Sequence, residues 1–320
     1  MALLPYFFPL FSSFLLVWLF LPLINRWAVS KGLVDVPYGR KIHIRPIPLT
    51  GGITIYGCFL LLIRLWVPPD SLLWSLVIGG GGLVAIGVLD DWYKSQQREL
   101  SPLPKLLAQL GVSLLAFLLG IRFQSISYPW NDEGMIQFPL GISFILTLLW
   151  ITAFINMFNF MDGADGLASG VSLISLLTMM VIAVALDQHE LALMAVLFIG
   201  AIAAFLRYNF HPAQAFLGDA GSMLLGYVVA VTSLSGMMKG PTLFTLLATL
   251  LIVGLPLVDM VQVMVRRWRR GTPLYRADKN HLHHLLFQAG LSHRQVVLVL
   301  YLCGLFFSIL SLYMFFAYLI

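Results

Sequence analysis

Residues 140–170 read LGISFILTLLWITAFINMFNFMDGADGLASG. The first sixteen hold no charged side chain, and then Asn156, Asn159, Asp162 and Asp165 arrive within ten positions. About 20 apolar residues cross the hydrocarbon of a bilayer as a helix, so the run predicts a span near 140–158 with polar groups at its mouth. Acids placed there are costly to desolvate, which makes a functional site the default reading. Their threefold spacing keeps successive groups near one helical turn apart. Gly163 and Gly166 predict that the helix loosens and lets backbone approach a ligand.

The whole chain shares this character. Of its 320 residues 60% are hydrophobic and only 10% are charged, with a mean hydropathy of +0.92. Soluble domains carry about 25% charged residues. A soluble fold is excluded, and the expected class is an all-α polytopic membrane protein forming one domain over 1–320. Ten apolar segments lie near 4–24, 50–67, 71–89, 104–121, 140–158, 168–186, 190–206, 216–236, 241–265 and 295–319. The opening MALLPYFFPLFSSFLLVWLFLPLI lacks a basic lead and a small-residue cleavage site, so it reads as a retained first helix. Cys58 and Cys303 stand alone in apolar runs and suggest no disulfide.

The formal net charge of +5 reflects membrane orientation rather than nucleic-acid binding. When the loops are assigned to alternate sides, sixteen Lys and Arg fall on one side. Only Arg64, Arg122 and Lys239 fall on the other. That asymmetry marks the first side as cytoplasmic, and ten spans then put both termini outside. Asp90, Asp91, Asp162, Asp165 and Asp219 share the cytoplasmic side. Asp259 sits within the ninth segment, close to Pro256. Gly79–Gly82 is followed by no Lys-Ser/Thr pair and reads as helix packing rather than a P-loop. The external stretch 128–141 reads as a turn-rich hairpin.

Five polar clusters meet the cytoplasmic face: RKIHIRPIPLTGG (40–52), LDDWYKSQQRELSPLPK (89–105), NMFNFMDGADGLASG (156–170), FLGDAGS (216–222) and YRADKNHLHHLLFQAG (275–290). Carboxylates and amides of this kind suit a hard cation, Mg²⁺ or Mn²⁺, which completes its shell with water and phosphate oxygens. Simple pairing with Lys and Arg is the alternative for any single acid. Lys94 and Lys105 are candidates to meet a phosphate, whereas RRWRR (266–270) is accounted for by membrane orientation or anionic lipid. His281, His283 and His284 leave zinc or structural roles open, though there is no nearby Cys and no H-E-x-x-H. Beside Arg276 and Lys279 they suit phosphate or sugar oxygens. The residues alone point to a metal-dependent transferase of phosphorylated substrates, one of them lipid-borne. A transporter would place its acids near the midplane of both halves.

In this order, the Asp90-Asp91 pair, NMFNFMDGADGLASG, FLGDAGSMLLG and HLHH resemble the polyprenyl-phosphate N-acetylhexosamine-1-phosphate transferases, over almost the whole chain. The histidine cluster NHLHHLL resembles the WecA/TagO branch more than the HHHFE of the MraY branch, which makes lipid I from UDP-MurNAc-pentapeptide. The resemblance implies transfer of a HexNAc-1-phosphate, GlcNAc-1-phosphate above all, from a UDP-sugar to undecaprenyl phosphate. UMP is released, and O-antigen, enterobacterial common antigen or teichoic acid synthesis begins in the bacterial plasma membrane. It implies Asp219 and Asn159 as Mg²⁺ ligands and Asp90 and Asp91 near the lipid phosphate. It places Asp162 and Asp165 toward the nucleoside. Lys105, His281, His283 and His284 fall at the diphosphate or sugar, with Lys94, Asn156 and His43 as further substrate contacts. A homodimer is compatible with such a chain, but the sequence carries no signal for one.

Overall fold

Long apolar stretches punctuated by Gly, Pro and short polar turns leave helix as the only secondary structure that satisfies its own backbone within lipid. The computed structural model describes residues 4–37, 45–98, 100–127, 134–238, 243–271 and 281–319. Its helices are α1 (Leu4–Lys31), α2 (Gly51–Trp66), α3 (Ser71–Trp74), α4 (Gly80–Ser95), α5 (Pro102–Leu118), α6 (Leu140–Met161) and α7 (Leu167–Ala185). They continue with α8 (His189–Asn209), α9 (Gly218–Met238), α10 (Leu243–Ile252), α11 (Gly254–Arg269), α12 (Leu282–Gln288) and α13 (His293–Leu319). A π-helical turn over Ser75–Gly79 joins α3 to α4. Two small antiparallel pairs complete the elements. β1 (Val34–Asp35) meets β2 (Ile47–Pro48), and β3 (Ser125–Ser127) meets β4 (Met135–Gln137) with Ser125 opposite Gln137. The second pair falls at the stretch read as a turn-rich hairpin.

Among the described residues, six helical runs are long and apolar enough to cross a membrane, or seven if α10 and α11 count as one bent span. The remaining sequence-read segments fall on α2, α5 and α9. The ninth segment, read as a single apolar span, is broken: α10 and α11 meet at 78°. Pro256 is the reason. It has no N–H to return to the carbonyl of Ile252 four residues back, and that carbonyl accepts the Ser175 hydroxyl instead (3.2 Å).

Helix α9 is the centre. Every residue from Ala220 to Leu234 is buried, as expected for a helix apolar all round. Helices α2, α4, α6 and α7 pack around it. The packing is closest at Ala220, where a Cβ on Gly52 or Gly87 would run into backbone. Three helices therefore meet there almost main chain to main chain. Outward, α1 and α13 expose Phe7, Phe8, Phe11, Leu302, Phe306 and Ile309, the apolar rim a bilayer covers.

Candidate active site

The site lies where α4 and α6 end and α5 and α9 begin. Asp90 and Asp91 are adjacent on α4, so their side chains diverge by about 100°, and they take different partners. Asp90 Oδ2 is 2.8 Å from Lys94 Nζ and 3.1 Å from Lys105 Nζ. Asp219 completes a square, with Oδ1 2.7 Å from Lys94 and Oδ2 2.9 Å from Lys105. Asp90 is 1% exposed, and the lysines are the more open corners. Two carboxylates and two ammoniums thus alternate and balance.

Asp91, 2% exposed, faces the start of α9. Its Oδ1 accepts the Asp219 N–H (2.9 Å) and its Oδ2 the Ala220 N–H (3.3 Å). Unpaired N–H groups at a helix start favour such a carboxylate. Gly218, with φ of 71°, makes the approach possible, since a Cβ there would meet the Asp91 carboxylate. Asp91 therefore holds the backbone that carries Asp219.

Helix α6 brings its polar groups at successive depths. Asn156 is the deepest; its amide donates to Gln109 Oε1 (2.8 Å) and to its own helix at Thr152. It ties α6 to α5 and is not brought to the square. Asn159 donates to Ser222 Oγ (2.8 Å), and Ser222 in turn bonds the Gly218 carbonyl (2.9 Å). Its amide oxygen is left beside the start of α9. Asp162 caps the end of α6, half-buried, with no hydrogen-bond partner for its carboxylate among the described residues. Burial, then the negative charges of Asp219 and Asp91, hold its carboxyl well above the usual carboxylate range.

The helix does loosen after Met161, and Asp165 turns elsewhere. It accepts from His211 Nδ1 (2.8 Å) and the Ala213 N–H (3.2 Å), with His293 Nε2 at 4.0 Å. These three side chains have the composition of a metal cluster. But the two imidazoles stack at 4.1 Å and 14°, so their in-plane lone pairs run side by side instead of converging on one ion. The group reads as a hydrogen-bonded His211–Asp165 pair with the His293 ring stacked on His211.

The histidines ride on α12 and its start. His281 precedes the helix, His283 is buried over Gly163 at the end of α6, and His284 packs on His283 (4.1 Å). Burial, then the charge of neighbouring His284, pushes His283 down to about 3. His43, Arg276 and Lys279 lie outside the described residues.

Several members were not legible as site residues. Ser222 and Gln109 are ordinary residues of apolar helices until paired with Asn159 and Asn156. His211 and His293 had no motif around them. Asp259 stood out as a buried acid, but its partners His281 and Leu282 were 22 and 23 residues away.

A model of glycosyl transferase family 4 matches residues 73–237, which include the charge square, Asn159 and Asp162 but not the histidines of α12. A protein of Bacillus subtilis (strain 168), "Probable undecaprenyl-phosphate N-acetylglucosaminyl 1-phosphate transferase", is 37% identical over 299 residues, 93% of this chain and 81% of that one. The "Undecaprenyl-phosphate alpha-N-acetylglucosaminyl 1-phosphate transferase" of Escherichia coli (strain K12) is 33% identical over 303 residues, 92% and 80% of the two chains. The "Decaprenyl-phosphate N-acetylglucosaminephosphotransferase" of Mycobacterium tuberculosis (strain CDC 1551 / Oshkosh) is 32% identical over 309 residues, 87% and 75%. Matched through the helices that carry its charge square and similar to these proteins over most of its length, the chain belongs to glycosyl transferase family 4.

Proposed function

We propose that this protein transfers N-acetylglucosamine-1-phosphate from UDP-N-acetylglucosamine to undecaprenyl phosphate, releasing UMP. The observation that carries the reading is the square of Asp90, Lys94, Asp219 and Lys105. The names of the relatives describe transferases of this kind. A square balanced internally can exchange partners. Lys94 and Lys105 turn to phosphate oxygens while staying on Asp90, and Asp219 is then released to face a cation.

The donors fit Mg²⁺, or Mn²⁺: they are hard oxygens, few in number, with room left for water and phosphate. Asp219 and the Asn159 amide oxygen would hold it. Once bound, the ion supplies positive charge to the diphosphate as the leaving group gains negative charge. The acceptor needs little activation, because a phosphate monoester with a second pKa of about 6 is largely dianionic at pH 7. One of its oxygens bonds to the β-phosphorus. The bond from that phosphorus to the bridging oxygen breaks, and its electron pair leaves with UMP. Asp90 orients this acceptor through the lysines, and Asp91 fixes the α9 start. Asp162 and Asp165 face the nucleoside, and His281, His283 and His284 the diphosphate or sugar. The sixteen-to-three split of basic residues supports ten crossings with both termini outside, and a cytoplasmic site in a bacterial plasma membrane.

The test is UMP release from UDP-GlcNAc, UDP-GalNAc and UDP-MurNAc-pentapeptide, with and without Mg²⁺, in detergent. UDP-GlcNAc is expected to be the substrate, chelation to abolish turnover, and Asp219→Ala to lower it about 100-fold or more. Turnover with the pentapeptide donor alone would move the protein to the MraY branch. Near-wild-type activity in Asp219→Ala would take Asp219 out of the metal site. A phospho-aspartyl enzyme formed from the UDP-sugar alone would end the direct route.

A further inference from the structure

An acid in the middle of an apolar helix is costly unless its partners are close, and Asp259 has three among the described residues. Its Oδ2 is 2.9 Å from His281 Nδ1. Its Oδ1 accepts the Leu282 N–H (2.7 Å) and the Gln262 amide (3.2 Å). Both Asp259 and His281 are buried. His281 supplies no side-chain cap to α12, so Asp259 caps that helix from α11. It lies within α11, one turn past Pro256, and the 78° bend sets the direction of that helix.

Resting on the transferase reading above, we infer that Asp259 is the positioning residue of the histidine cluster. One oxygen fixes the His281 ring, and the other fixes the helix carrying His283 and His284. With Nδ1 engaged by Asp259, Nε2 is the nitrogen His281 presents to substrate, and Nε2 has no hydrogen-bond partner among the described residues. The arrangement parallels other carboxylate–imidazole pairs, in which the acid sets tautomer and orientation without touching the reacting atoms.

A double-mutant cycle on the full chain tests this. Asp259→Ala and His281→Ala are each expected to lower kcat for UMP release about 10- to 100-fold. The double variant should be no worse than the poorer single, since both remove one unit. Asp259→Asn separates positioning from folding. Its amide oxygen can still cap Leu282, so the thermal midpoint should hold. Its NH₂ then meets Nδ1 and forces the other tautomer, so kcat should fall while KM for UDP-GlcNAc moves less. ¹⁵N NMR of histidine-labelled protein without substrate should show Nδ1 of His281 protonated in the wild type and unprotonated in Asp259→Asn. Additive losses, wild-type kcat in Asp259→Asn or in His281→Ala, or unchanged His281 nitrogen signals would overturn the inference. Absence of UMP release from the wild type would sink the transferase reading itself, and the NMR signals would still report the Asp259–His281 link.

Discussion

Asp90 and Asp91 are neighbours in sequence and part company in structure. One joins two lysines, and the other holds backbone, because adjacent helical positions cannot share a face. His283 shows how its surroundings, burial above all, set a residue's behaviour. Its ring stays neutral in the folded protein down to about pH 3, whereas in the unfolded chain it gains a proton near about 6.5. Below that pH the unfolded state binds more protons. The contribution of His283 is therefore complete above about 6.5 and is lost at about 1.4 kcal/mol per pH unit as pH falls toward 3. Asp162, whose carboxyl is raised, acts in the opposite sense, so the informative quantity is a difference between variants. The thermal midpoint in detergent should fall less from pH 7 to pH 5 in His283→Gln than in the wild type. Equal slopes would show that His283 titrates normally.

At the scale of elements, the seam at Ala220 couples packing to chemistry. Gly87 lies on α4 about one turn before Asp90, and Gly52 near the start of α2; both abut the α9 backbone. Gly87→Ala should push α4 away from α9, at a cost of about 1–3 kcal/mol, and should weaken UMP release by separating Asp90 from Asp219. Gly57→Ala, where nothing lies within 4 Å of the added methyl, serves as the control. Matching midpoints for the two variants would show that the seam can relax. Elements also mark the limit of what the chain discloses before folding. Every sequence-read apolar segment falls on a helix, because spans in lipid follow hydrophobic length. The α10–α11 bend was missed, although Pro256 was in plain view, because prolines are tolerated within membrane helices, and how far the chain turns depends on which neighbours satisfy the freed carbonyl. Ser175 does so here, and nothing local to Pro256 announces it.

For the whole molecule, the legible part of the site was its charge. Desolvation leaves so few ionisable groups in such a chain that Asp90, Asp91, Asp162 and Asp219 stand out individually. Which acid meets which lysine was not legible, because Asp219 lies 125 and 114 residues from Lys94 and Lys105. The polar ties of Asn156 to Gln109 and of Asp259 to His281 were hidden for the same reason. Orientation is open to direct measurement. Alkaline phosphatase fused after Ile320 should be active and a green fluorescent protein there dark, and both should reverse when fused after Arg270. The opposite pattern would invert the topology. Helix α9 carries a last consequence. The helices that pack on it most extensively, α2, α4, α6 and α7, all precede it in the chain, and α10 adds only a smaller contact. A ribosome delivering the protein from its N-terminus has built the socket before α9 emerges. The square of charges can then close while α10 to α13 are still being made, and the histidines come to a site whose other half is already in place.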